Sequence, residues 1–401
     1  MPLLEQAARP NAGMPGSSPH THGGPPVVPE QSRAQRRTSF DVADFPMPTG
    51  REEQWRFTPV DRMAALLRDT PSGTHLAWDA ELPEGVTLRP VTGSQARAHG
   101  IPAPGDRAAA LALAHAEGGM HLDIPADTVP PDPVRIRLVG SHSERVWGHL
   151  LVTAGRHSTA TVVLEHQGTA RFGEVVSVLV GDGADLTLVS VQEWSEDTVH
   201  AAQHDLVVGR DATVRHVVVT LGGALVRMAT NVTYAGPGGS VDASGIYFAD
   251  AGQHLEHRLF VDHEAPHCRS HVEYRGALQG DSAHTVWVGD VLIRAAAEGT
   301  DTYELNRNLV LTEGARADSV PNLEIETGEI VGAGHASATG RFDDEQLFYL
   351  QARGIPLQEA RRLVVRGFFA DLIAKIPVAE IQGHLTQAVE RELAVAEGAP
   401  S

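Results

Sequence analysis

Between residues 119 and 340 the chain alternates short β-branched runs with turns built from Gly, Asp and Ala. The runs "RIRLVG", "TATVVLEH", "DLTLVSVQ", "TVRHVVVTL" and "NVTYAG" are strand-length, and no helical period interrupts them. The turns recur near Gly155, Gly181, Gly209 and Gly236, a step of about 27 residues, within the range of stacked repeats. A 27-residue step accommodates one coil of a parallel β-helix with two or three short strands. Each coil buries its Val and Leu inside the stack and satisfies its backbone against the next coil. Left-handed hexapeptide helices need a much shorter period, so the expected fold is mainly β, a right-handed parallel β-helix.

Helical patterning flanks this core. In "TGREEQWRFTPVDRMAALLRD", Thr49 reads as an N-cap and Glu52 and Glu53 as first-turn acids. Trp55, Val60, Met63, Leu66 and Leu67 form a loose helical stripe behind them. "GDRAAALALAHAEGG" predicts a second helix, closed by Gly118 and Gly119. Beyond 342, Asp343 and Asp344 open a helix that Gly354 closes. Pro356 then starts one with Leu363, Val364, Phe368, Leu372 and Ile376 on one side. After Pro377, Ile381, Leu385, Val389 and Leu393 repeat at helical spacing. Such helices either cap a solenoid or dock a partner. The expected division is a disordered tail (1–40), an N-terminal helical region (41–118), the β-helix (119–342) and a C-terminal helical region (343–401).

Charge and composition narrow the chemistry. A formal net charge of −19 argues against nucleic-acid phosphate and anionic membrane surfaces as partners. No apolar run reaches the roughly 18 residues a span needs. The first 40 residues are rich in Pro, Gly and Ser and lack a signal peptide's apolar stretch, which predicts a cytoplasmic protein. Cys268 is the only cysteine, so there is neither a disulfide framework nor a CxxC site. Lys375 is the only lysine, and no glycine-rich loop precedes it, so any ATP hydrolysis belongs to a partner.

Histidine is the abundant chemical group, with 21 residues. His254, His257, His263, His267 and His271 crowd around Cys268. On strands only alternate positions share a face, so the expectation is solvent-facing side chains and not a metal cluster. His335 differs, because Gly334 and Ala336 cannot screen it. As a neutral imidazole it could ligate iron or zinc, or it could be a core group. Alone it cannot hold an iron–sulfur cluster, which takes mostly thiolates. A carbohydrate-cleaving β-helix is the alternative class, but such enzymes work with paired carboxylates and are secreted.

The segments "TDTYELNRNLVL", "ARADSVPNLEIE", "GHASATGRFDDEQLFYLQARGI" and "EARRLVVRGFF" resemble the SufB/SufD family of iron–sulfur cluster assembly scaffolds. "PTGREEQWRFT" resembles that family's N-terminal segment. The likeness spans residues 41 to about 380 and is strongest from 300 to 370. It implies a scaffold subunit of a SufBCD-type complex that pairs with a SufB-type paralogue and docks a SufC-type ATPase through its C-terminal helices. The resemblance also implies that the SufB type carries a cysteine where this chain has Asn306 and a glutamate where it has Ala336. Both departures are SufD-like. It further implies that His335 lies at the heterodimer interface and supports iron entry, iron or a nascent cluster being held between subunits and none by this chain alone. A cysteine found in some SufD-type chains is replaced here by Ala333. The isolated chain could instead pair with itself.

Overall fold

The computed structural model describes residues 35–341 and 344–398. Most of the disordered-tail expectation (1–34), Asp343 and the last three residues lie outside that range. An irregular N-terminal region carries two short strands, β1 (Ala77–Glu81) and β2 (Thr87–Pro90), and two helices, α1 (Gly93–Ala98) and α2 (Arg107–His115). The Asp106 carboxylate accepts the Ala109 N–H to cap α2. The stripe from Trp55 to Leu67 does not form a continuous α-helix. It makes single 3-10 turns at Glu53–Trp55 and Ala64–Leu66. Pro59 lies between them, lacking an N–H and excluding its predecessor from helical backbone. Burial holds regardless of helix type: Trp55, Met63, Leu66 and Leu67 pack with α2 against Trp147, Val175 and Ala201.

The solenoid starts with β3 (Met120–Ile124), β4 (Val134–Ala154) and β5 (Thr159–Val180). The first part of β5 pairs with β6 (Asp185–Trp194) and its last part with β7 (Val199–Val208), so this strand founds two faces. From there strands alternate between faces. One continues through β8 (Thr213–Leu221), β10 (Ser240–Ala249), β12 (Arg269–Leu278), β14 (Asp301–Val310) and β16 (Gly332–Arg341). The other continues through β9 (Leu225–Tyr234), β11 (His254–His263), β13 (His284–Ile293) and β15 (Arg316–Ile325). From β5 onward neighbours are parallel and in register. Each coil therefore uses two strands. The observed step is 27 residues from Thr213 to Ser240 and 32 from Arg269 to Asp301, so the coils lengthen toward the C-terminus.

The pleat sends alternate side chains inward, and the inner cluster includes Leu188, Val218, Val232, Val261 and Val291. Each such side chain contributes about 1.5–3 kcal/mol by leaving water. Two rings are accommodated by glycine. Tyr247 lies over Gly276 and Tyr274 over Gly245, where an added Cβ would meet the ring at 1.8 and 2.0 Å.

The C-terminal helices are α3 (Asp344–Ala352), α4 (Leu357–Ala374) and α5 (Ala379–Gly398). Val365, Phe369, Leu372 and Ile373 of α4, with Ile381, Leu385, Val389 and Leu393 of α5, cover the outward Val189, Val217, Ile246 and Phe248 of the β6–β14 face. The expected α4 stripe is displaced. Leu363 is exposed and Phe368 only partly buried, whereas Phe369 is fully buried. Arg275 explains the displacement, because its guanidinium donates to the Phe368 carbonyl at 2.6 Å and sets the helix rotation. Lys375, the only lysine, donates to Glu273 at 2.8 Å and fixes the other end of α4. No helix is long and apolar enough to cross a membrane among the described residues.

Candidate metal centre at the open end of the solenoid

The stack ends at β15 and β16, each paired on one side only. Their free edges expose unpaired backbone groups, and the inner face of the final coil meets solvent. His335 sits in β16 and is exposed. Gly334 beside it faces the other side of the strand, where an added Cβ would come within 3.3 Å of the exposed Tyr303 ring. Ala333 and Ala336 leave the approach to the strand unobstructed.

Directly beneath His335 in the ladder is Glu304. Glu304 is 1% exposed, and neither carboxyl oxygen has a hydrogen-bond partner. Burial, then Asp290, pushes its carboxyl up to about 8. Across the interior, Gly289 makes room for it, since a Cβ there would come within 2.8 Å of Oε1. Asn306, two residues on, is a buried structural amide. It donates to the Tyr247 hydroxyl at 2.9 Å and accepts from Asn308 at 2.8 Å and from Ser319 at 2.6 Å. Asn308 in turn donates to the exposed Thr339 at 3.3 Å.

The His254–His271 group is not one site, and its expected solvent-facing placement fails for most of it. His254, His257 and His263 are buried, while His267 and His271 are exposed. His254 contacts Glu256 at 3.2 Å, His257 contacts Thr220 at 2.9 Å, and His263 contacts Ser270 at 2.9 Å. The cause is two-sheet geometry, which buries the inner face of each strand and, where helices or the N-terminal region cover it, the outer face too. Cys268 is buried with Sγ against the Gly236 and Pro266 carbonyls, and burial raises its thiol. It is unavailable to a cluster.

One side-chain group escaped sequence reasoning. His166, Glu174 and His200 converge inside the solenoid, with candidate ligand atoms all within 4.8 Å of one another. His166 is hydrogen-bonded to Glu174, and His200 lies beside the same carboxylate. His166 places Nδ1 on the Val191 carbonyl at 3.2 Å and Nε2 on Glu174 at 3.1 Å. The Val191 carbonyl only accepts, so Nδ1 donates to it. The Trp194 indole N–H donates to His200 Nδ1 at 3.0 Å. Trp has no acceptor, so the His200 proton sits on Nε2, 3.4 Å from Glu174. That nitrogen has no lone pair for a metal. Burial opposes the Glu174 charge, but the two histidines prevail and hold the carboxylate far below the usual range. Only the coil step links positions 26 to 34 residues apart, so no local motif marks the group.

A second surface lies between α4 and α5, where Ala370, Ala374, Ala379 and Gly383 line a shallow groove. Arg366 and Glu390 pair across its rim at 3.7 Å. Phe348 and Tyr349 on α3 and Val331 before β16 are also exposed.

The described residues form a two-faced parallel solenoid with free edge strands and an accessible imidazole on its last coil. Residues 137–368 match the core domain of SufBD proteins of the SUF system for FeS cluster assembly, so the chain belongs to that family. An iron–sulfur cluster assembly SufBD family protein of Mycobacterium tuberculosis is 52% identical over 372 residues, covering 90% of this chain and 92% of the relative. The iron–sulfur cluster assembly protein SufD of Bacillus subtilis is 29% identical over 293 residues (71% and 66%), and SufD of Escherichia coli 30% over 229 residues (56% and 53%). The chain is SufD-like, and the carbohydrate-acting alternative is left without a supporting observation.

Proposed function

We propose that this chain is the SufD-type, non-catalytic subunit of a cytoplasmic SufBCD-type assembly complex. It pairs through its open end with a SufB-type paralogue, docks a SufC-type ATPase through α4 and α5, and presents His335 for iron entry. The observation that carries this reading is His335 itself: an exposed imidazole on a free edge strand at the end of the solenoid. Iron or a nascent cluster is the cargo of the shared interface. This chain alone cannot hold a cluster, because its one thiol is buried on backbone carbonyls. Edge strands β15 and β16 supply backbone groups for pairing with another chain, and without a paralogue the same edges could pair two copies. The α4–α5 groove and its charged rim give an ATPase a surface, so that nucleotide-driven closure can act on the open end.

The test is co-expression with SufB- and SufC-type chains, comparing wild type with His335→Ala. The expected result is an unchanged melting temperature and complex composition with loss of iron and cluster loading. A variant that melts several degrees lower yet loads iron normally returns His335 to a structural role. Unchanged ATPase co-purification after deleting 378–401 and after Arg361→Glu with Arg366→Glu would reduce the helices to a cap.

A further inference from the structure

We propose that Glu304 is the second protein ligand of a divalent transition-metal ion taken up at His335, the chemical class being that of iron(II). The inference rests on the reading of His335 as a metal-binding group and supplies the partner which that reading lacks.

Geometry comes first. His335 and Glu304 are register partners on adjacent parallel strands, β16 and β14. Strands lie about 4.8 Å apart, and paired residues project to the same side of the pleat. An imidazole and a carboxylate so placed can share one ion with bonds of about 2.0–2.2 Å. Imidazole with carboxylate suits iron, zinc and manganese and leaves the remaining positions to solvent or a partner chain.

The independent pointer is the state of the carboxyl. Buried acids in this solenoid are otherwise satisfied. Glu174 has two histidines. Glu256 has Thr58, Arg227, His254 and Arg258. Asp205 accepts from Gln203 and Asn231. Among the described residues, Glu304 is the buried carboxyl with neither oxygen partnered. Leaving such a group unpaired costs free energy that a Leu would avoid. Its immediate neighbours form a complete network of Asn306, Asn308 and Ser319, none of which turns toward it. Across the interior, Gly289 admits both Oε1 and the edge of the Trp287 indole, which makes no hydrogen bond to it. An ion entering the open end passes the exposed imidazole before reaching the carboxyl.

The experiment uses the purified full-length chain and cobalt(II) alone as a spectroscopic probe, repeated with iron(II) under anaerobic conditions. Wild type is expected to bind one ion weakly, and His335→Ala and Glu304→Gln each to lower affinity by roughly tenfold or more. Metal-free Glu304→Gln exchanges one buried unpartnered polar group for another of the same shape and is expected to melt close to wild type, which separates loss of a ligand from loss of fold. If His335→Ala weakens binding and Glu304→Gln does not, the Glu304 proposal is overturned while the His335 reading stands. If only Glu304→Gln weakens it, or neither does, both fall. No cobalt binding by wild type up to about 1 mM overturns the two-ligand site.

Discussion

Replacing Glu174 by Gln tests whether the interior His–Glu–His group is an electrostatic clamp or a metal site. The substitution keeps shape and volume but removes the carboxylate that both histidines face. It also places an amide against His200 Nε2, which already carries a proton. Glu174 and both histidines are buried, so water cannot compensate. Breaking a buried pair by removing one partner costs about 3–5 kcal/mol. At roughly 2.1 cal/mol/K per residue, a chain of 401 residues has an unfolding entropy near 0.8 kcal/mol/K, so the melting temperature should fall by about 4–6 °C. The assay is thermal and urea unfolding of both proteins, with and without EDTA and with one equivalent of zinc. The clamp predicts the full loss in every condition, because Trp194 commits His200 to the tautomer that offers no lone pair. The reasoning is refuted if EDTA destabilises wild type, or if zinc raises its melting temperature while Glu174→Gln does not respond.

Two further outcomes follow from particular contacts. Burial holds His263 at about 4, below its ordinary value of about 6.5, so unfolding takes up its proton as pH falls, and its contribution is lost between about pH 6.5 and 4; the stability gap between wild type and His263→Gln should therefore shrink by about 1.4 kcal/mol per pH unit across that window, measured by urea unfolding. On α4, Phe369→Ala should cost about 3–5 kcal/mol and open α4–α5 to proteolysis, whereas Phe368→Ala should cost much less; equal losses would refute the observed helix rotation.

What the sequence disclosed depended on whether a pattern was local. The Gly155, Gly181, Gly209 and Gly236 turns gave the coil step directly, because each coil must turn at the same places. The lengthening of later coils was hidden, since "TDTYELNRNLVL" and "GHASATGRF" carry no matching turn. Burial of Ile381, Leu385, Val389 and Leu393 was legible from spacing alone. The α4 phase was not, because Val364, Val365, Phe368 and Phe369 offer two nearly equal stripes, and Arg275 from a distant strand decides between them. For the same reason Pro59 outweighed the apolar pattern from Trp55 to Leu67, whose burial survived although its helix did not.

The candidate site divides along that line. His335 could be noticed as a histidine in a run of Gly and Ala, although on a strand Gly334 and Ala336 face the other side, so its exposure comes from the free edge of β16 and not from their size. Glu304 stood in a quoted motif without a role, since its partner lies 31 residues away and one strand over. A solenoid hides such pairs by construction: contacts across coils are as close as those along a strand but appear in sequence only at the coil step. The same construction also explains why an inward-facing ligand belongs at the last coil. Elsewhere the described inner face is sealed by the next coil, so its acids are held by neighbouring side chains, as Glu174 is by His166. At β16 no further coil follows, and an inward imidazole is left to solvent or to another chain. There alone can a carboxyl one strand below remain unpartnered and still be reached from outside.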